Sequence, residues 1–230
     1  MNIGGFQKTS LLDYPDKISA IVWTVGCNFN CPFCYNSNLV SGDVELFPEN
    51  EIFGLLEKRK GLLDALVISG GEPLMQKDIA DFCKKVKQLG FLVKIDTNGM
   101  FPDKLKELID KKLVDYIAMD IKAPKKKYSE LAGKKVDISK IEQSIDIINK
   151  SKIGYEFKTT FVPELLKKED IIEIAKWLKD SEKYYLQQFK NDAQLLSSKL
   201  QNIAPHPKEY LLETLEKIKP YFKECEVRGL

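Results

Sequence analysis

Six short apolar runs recur along the chain, and their spacing limits the fold more than any other feature. They read "ISAIVWTV" (18–25), "DALVISG" (64–70), "FLVKID" (91–96), "VDYIAMDIK" (114–122), "GYEFKTTFV" (154–162) and "KYYLQQF" (183–189). Most are nearly continuous in apolar residues, as strands buried on both faces of a parallel sheet are. Between them lie stretches with helical spacing. In "KDIADFCKKVKQLG" the residues Ile79, Phe82, Val86 and Leu89 share one face and Gly90 supplies a stop. The stretches "PDKLKELIDKKL", "ISKIEQSIDIINKS" and "KEDIIEIAKWLKD" repeat the pattern. Strand and helix alternating six times predict an α/β chain with a parallel sheet, curled into an incomplete barrel or lying open as a doubly wound sheet.

Ligands gather at the C-terminal ends of the strands in either architecture. The chemistry-bearing residues fall there. Cys27 follows the first run, "GGEP" the second and "DTNG" the third, while Asp120 and Lys122 close the fourth. One active site is the simplest reading of that coincidence.

The 230 residues show no linker, low-complexity tract or second composition regime, so one domain over 1–230 is expected. Within it, 1–17 forms an N-terminal flanking segment and 205–230 a C-terminal helix and tail. The first 16 residues and the tail "CEVRGL" are expected to form short flanking strands. A net charge of +2 implies neither a nucleic-acid nor a membrane surface. No apolar run approaches the ~20 residues that span a bilayer, and "MNIGGFQKTSLLDYP" lacks a signal-peptide profile. A cytoplasmic location is the expectation.

Three of the five cysteines, Cys27, Cys31 and Cys34, crowd into "GCNFNCPFCYN". A reducing compartment disfavours disulfides, so clustered thiols point to metal. Structural zinc wants four ligands, and the one His, His206, stands far off between two prolines. A zinc-binding interaction module is the non-catalytic alternative. A cubane iron-sulfur cluster held by three thiolates instead leaves one iron open to substrate. Cys83, on the apolar side of a helical stretch, reads as a small buried hydrophobe. Nothing in the sequence explains Cys225.

The spacing CxxxCxxC after a buried strand, with Phe33 before the last cysteine and "SGGEPL" after the second strand, resembles the radical S-adenosylmethionine (SAM) superfamily. That resemblance implies a partial (β/α)6 TIM-type barrel and a 4Fe-4S cluster on Cys27, Cys31 and Cys34, with SAM at the open iron. It implies a SAM pocket made by the turn Gly70, Gly71, Glu72 and Pro73, whose carbonyls accept from the methionine amino group. Asp96 and Asn98 stand at the same mouth. Asp120 and Lys122, two apart on one strand face, match positions that contact the SAM amino and carboxylate ends in glycyl radical enzyme activases. Lys158, Thr159, Thr160, Gln187 and Gln188 reach the mouth on the last two runs, where alternation sends about half of such positions into packing.

The stretch "GFQKTSLLDYPDKISAIVWTVGCNFNCPFCYN" is similar to the activating enzymes of anaerobic ribonucleoside-triphosphate reductase and, more distantly, of pyruvate formate-lyase. The terminal "EVRG" looks typical as well, whereas Tyr35 stands where these activases often carry His. The resemblance implies one-electron cleavage of SAM and removal of hydrogen from a backbone glycine of a partner glycyl radical enzyme. A flavodoxin or ferredoxin-type protein would supply the electron. Only about 30 residues separate Cys34 from the second strand, so no ferredoxin-like insert fits there. An alternative keeps the chemistry and changes the substrate to a small molecule, as in 7-carboxy-7-deazaguanine synthase. A six-stranded barrel leaves a lateral opening through which a protein substrate can insert a loop.

Overall fold

The computed structural model describes residues 1–230. Eight strands form one sheet in sequence order: β1 (Ile3–Ser10), β2 (Ser19–Thr24), β3 (Ala65–Gly70), β4 (Leu92–Thr97), β5 (Tyr116–Asp120), β6 (Gly154–Phe161), β7 (Lys183–Gln188) and β8 (Glu224–Arg228). The six strands expected from the apolar runs are β2 to β7, all parallel. The flanking strands are real too. β1 pairs antiparallel with β2, and β8 extends the parallel set beside β7. Because β1 and β8 do not pair with one another, the sheet curls as a partial barrel with one open side.

Parallel neighbours need long crossovers, and helices supply them. The helices are α1 (Ser37–Ser41), α2 (Glu49–Lys58), α3 (Ile79–Gln88), α4 (Pro102–Asp110), α5 (Tyr128–Leu131), α6 (Ile138–Lys150), α7 (Lys168–Trp177) and α8 (Lys208–Ile218). In α3 the apolar spacing does what it predicts: Ile79, Phe82 and Val86 are buried, Cys83 lies beside them, and Gly90 follows with a φ of +93°.

The main core of 50 buried residues includes Leu66 and Ile68 of β3, Val93 and Ile95 of β4 and the inner helix faces. Each fully buried Leu, Ile or Phe contributes roughly 1.5–3 kcal/mol, so this layer supplies the bulk of the folding drive. A smaller apolar cluster of Tyr14, Ile21, Ala65, Val67 and Tyr116 fills the other side of the sheet, with Tyr14 and Tyr116 rings 5.5 Å apart. Above it the sheet turns polar. Lys94 is 4% exposed and donates to the Asp13 carbonyl, Glu156 is 1% exposed, and Arg228 holds Glu156 through two hydrogen bonds of 2.8 and 3.0 Å. The strand ends above this layer carry the site.

Candidate active site

The cysteine loop leaves β2 through Gly26, whose φ of +93° is the left-handed region that glycine adopts freely. Contacts from distant segments then fix its course. The Asn30 N–H donates to the Ala132 carbonyl at 2.8 Å, the Ser197 N–H to the Pro32 carbonyl at 2.9 Å and the Leu196 N–H to the Cys34 carbonyl at 3.2 Å. Within the loop the Cys34 N–H donates to the Cys31 carbonyl at 3.0 Å, and the Phe29 N–H points at the Cys27 sulfur at 3.4 Å. All three sulfur-bearing residues line one cavity of about 550 Å³ at the C-terminal ends of the strands.

The turn after β3 packs directly on that loop. The Gly71 N–H donates to the Thr24 carbonyl and the Glu72 N–H to the Gly26 carbonyl, both at 2.9 Å. A Cβ on Gly71 would stand 2.0 Å from the Gly26 carbonyl oxygen, and one on Gly70 2.3 Å from the Thr24 nitrogen. Only bare backbone fits there, and both glycines face the cavity.

Glu72 does something different from what its motif suggests. Its side chain is fully buried and accepts from the Leu74 N–H at 3.0 Å, the Thr97 hydroxyl at 2.8 Å and the Asn98 N–H at 2.7 Å. It brackets the turn after β3 to the turn after β4. Neither Glu72 nor Pro73, expected from the sequence to bind the cofactor, lines the cavity. Burial pushes the Glu72 carboxyl up to about 7 against the pull of its donors.

Asn98, held by that bracket, reaches from the β4 turn to the cysteine loop, donating to the Asn28 side chain at 2.8 Å with its Nδ2 3.9 Å from the Cys27 sulfur. Asp96 accepts from the Ser69 hydroxyl at 3.2 Å and from Lys158 at 3.4 Å, and Lys94 stands 3.4 Å from its other oxygen. Burial opposes ionisation of Asp96, but Lys158 and Lys94 outweigh it and hold the carboxyl below its ordinary range. That second oxygen, Oδ1, is buried and receives no aligned hydrogen bond even though Lys94 is near. Lys122 sits 3.5 Å from Asp120 and 6.0 Å from the Phe33 ring centre. Burial works against its charge, but Asp120 and the three thiols raise its pKa above the usual lysine value.

The donor set fits the expected groups. Burial raises Cys27 to about 11 and Cys31 to about 12, so these thiols give up their protons only to a strongly electropositive ligand. Three thiols at one cavity, with no fourth protein ligand beside them, suit a cluster with one open iron better than four-coordinate structural zinc. For an amino acid moiety, the cavity offers the Asp96 carboxylate, the Gly71 carbonyl, the Gly70 carbonyl that already accepts from the Asn36 side chain at 3.4 Å, and the ammonium of Lys122. Its volume lies within the usual range for cofactor pockets.

Family comparison agrees with this geometry. The radical SAM superfamily matches residues 21–178, more than half of the chain. The chain belongs to that superfamily. It is a radical SAM enzyme, with a 4Fe-4S cluster and SAM as its cofactors. A Methanocaldococcus jannaschii protein named as a glycyl-radical enzyme activating enzyme is 39% identical over 99% of this chain and 96% of its own length. A second protein so named from the same organism is 32% identical over 76% of this chain and 68% of its own. At family level the enzyme is activase-like. SuiB of Streptococcus suis, solved with its precursor peptide SuiA, superposes with a TM-score of 0.67 over 91% of this chain at 18% identity. The superposition covers 48% of SuiB, so the shared feature is the fold.

Of the positions expected from the sequence, the three cysteines, Phe33, Gly70, Gly71, Asp96, Asn98, Asp120 and Lys122 line the one cavity. Lys158, Thr160, Gln187 and Gln188 join them, while Thr159 turns away and donates to the Ile121 carbonyl at 2.7 Å. Tyr35 lines the wall as well, its buried hydroxyl without a partner. Sequence reasoning missed Lys190, Asp192 and Arg228, which complete the wall from β8 and the segment after β7. The "EVRG" tail was the one signal that could have pointed to Arg228.

Proposed function

We propose that this enzyme installs a glycyl radical on anaerobic ribonucleoside-triphosphate reductase, drawing its electron from a flavodoxin or ferredoxin-type protein. The observation that carries the reading is the convergence, on one cavity at the strand ends, of three loop thiols with the Asp96 acceptor and the Lys122 ammonium. Residues 1–230 act as one domain in this reading.

Cys27, Cys31 and Cys34 would ligate the cluster. The bound cofactors supply one-electron reductive cleavage of SAM into methionine and a carbon-centred radical that takes one hydrogen atom from the substrate. The chain's own work is placement. Asp96 and the Gly70 and Gly71 carbonyls hold the amino group of SAM, and Lys122 holds its carboxylate while Asp120 fixes the ammonium. Asn98 ties that end of the pocket to the cysteine loop, and Phe33 shields the loop from water. The side between β1 and β8, where no strand closes the barrel, admits a polypeptide.

The small-molecule alternative is disfavoured by the similarity over nearly the full length of an activase-named relative. The test is anaerobic reconstitution with iron and sulfide, then addition of dithionite, SAM and the reductase, reading 5′-deoxyadenosine by chromatography and the glycyl radical by electron paramagnetic resonance. Stoichiometric radical on the reductase supports the assignment. Cleavage of SAM with no radical on that protein rejects the partner, and Cys31→Ala that still cleaves SAM rejects the ligand set.

A further inference from the structure

A target glycine offers no side chain to recognise, so an enzyme that attacks its Cα must hold the neighbouring main chain. The structure presents main-chain groups at one place beside the cavity. β8 is the last strand of the sheet, and its register with β7, from Lys183 opposite Glu224 to Gln187 opposite Arg228, runs without a shift. The Glu224 N–H donates to the Glu182 carbonyl at 2.9 Å, which turns Glu224, Glu226 and Arg228 toward β7. Alternation along the strand turns the N–H and C=O groups of Cys225 and Val227 outward. No hydrogen bond from a loop or a side chain reaches them.

The opposite edge of the sheet is built differently. β1 carries two register shifts, between Ile3 and Gly5 and between Gln7 and Ser10, and its Ile3 carbonyl accepts from the Phe47 N–H at 2.7 Å. Bulges and covering loops are how proteins blunt an edge. β8 has no bulge, and cover reaches it at Cys225, which is 6% exposed, but leaves Val227 half-exposed.

The open edge also leads somewhere. β8 runs parallel to β2 through β7, so its C-terminal end arrives at the cavity mouth, where Arg228 and Gly229 line the wall. The Arg228 guanidinium is held to Glu156 by two hydrogen bonds and stacks 3.3 Å over the Tyr185 ring. Arginine carries five N–H groups, and those not given to Glu156 remain for a carbonyl at the mouth. A line of main-chain groups along β8 thus continues into fixed side-chain donors beside the site of hydrogen abstraction.

We propose that the outer edge of β8 is the docking strand for the target polypeptide: an extended segment of the partner adds beside Val227, at the cavity end of the strand, and Arg228 holds a carbonyl next to the target glycine. Strand addition at a free edge gives affinity through the main chain without demanding particular side chains. The inference rests on the glycyl-radical reading above.

Val227→Pro tests it, because proline removes an outward N–H while leaving the bonds to β7, and edge strands tolerate that change. Iron content and melting temperature check that the variant is folded. The concentration of anaerobic reductase giving half-maximal radical formation should rise at least tenfold. In the wild-type enzyme, hydrogen exchange at the Val227 amide should slow at least tenfold when the reductase is added, a readout that a merely structural role would not move. Radical formation with unchanged half-saturation in the variant and unprotected Val227 overturns the docking strand and leaves the partner standing. No radical on the reductase with the wild-type enzyme overturns both.

Discussion

Replacing Glu72 by Gln isolates the bracket between the turns after β3 and β4. The side chain is fully buried, and burial lifts its carboxyl from the ordinary 4.5 to about 7. A carboxyl whose pKa is higher in the fold than in the unfolded chain favours the native state while protonated. Its contribution is fully present below pH 4.5 and is lost as pH rises through 7. The displacement corresponds to roughly 3 kcal/mol at 1.36 kcal/mol for each pKa unit. At pH 5 the amide oxygen can still accept from the Leu74 N–H and the Thr97 hydroxyl, but its NH2 cannot accept from the Asn98 N–H as the protonated acid does, so the variant should lie about 1–3 kcal/mol below wild type. At pH 8 the wild-type chain has lost that contribution and the amide has not. Between the two pH values the difference should therefore move by about 2–3 kcal/mol in the variant's favour, a change on the order of 10 °C in melting temperature for a chain of this size. Urea unfolding of the metal-free chain under reducing, anaerobic conditions at the two pH values measures it. A difference that stays constant, or turns against the variant as pH rises, would refute the reasoning. It would mean that the three donors keep Glu72 ionised throughout.

Gly71→Ala should lower SAM affinity at least tenfold and destabilise the fold by about 1–3 kcal/mol, because a Cβ there would sit 2.0 Å from the Gly26 backbone oxygen; calorimetric titration with SAM is the check, and wild-type affinity would show that the turn can yield. Lys122→Ala should weaken SAM binding at least tenfold while leaving iron content near wild type, and equal loss of both would make Lys122 a support of the loop instead. Glu156→Ala removes the acceptor of Arg228 and of the Tyr116 hydroxyl, and with it a charge 3.9 Å from Lys94. Losing one member of a buried ionic set costs about 3–5 kcal/mol, so scanning calorimetry should show a fall on the order of 10 °C; a drop under about 2 °C would mean the group is solvated.

The central strands were legible because their burial on both faces writes itself as continuous apolar runs, "ALVI" of β3 being 0% exposed throughout. The cysteine spacing and "GGEP" were legible because each is a local pattern. The polar layer inside the sheet was not. Lys94 in "FLVKID" and Glu156 in "GYEFKTTFV" look like solvent-facing interruptions, and their partners lie 62 and 72 residues away along the chain. Arg228 stayed hidden for the same reason, since its place in the cavity depends on a final strand that "CEVRGL" announces only faintly. Glu72 shows the reverse case. Its motif points to the cofactor, yet the carboxylate points into the protein and holds two turns together.

The anchoring of the cysteine loop sets a timetable for making the enzyme. The thiols at 27–34 leave the ribosome well before the groups that fix their loop, Ala132, Leu196 and Ser197. At 5–20 residues per second, the last of these emerges about 8–30 s after the thiols. Through that interval the three sulfurs are on an unfolded chain, open to oxidants and to adventitious metals. Iron delivered before then would meet a loop without its shape, so productive loading belongs after Leu196 and Ser197 have joined the fold.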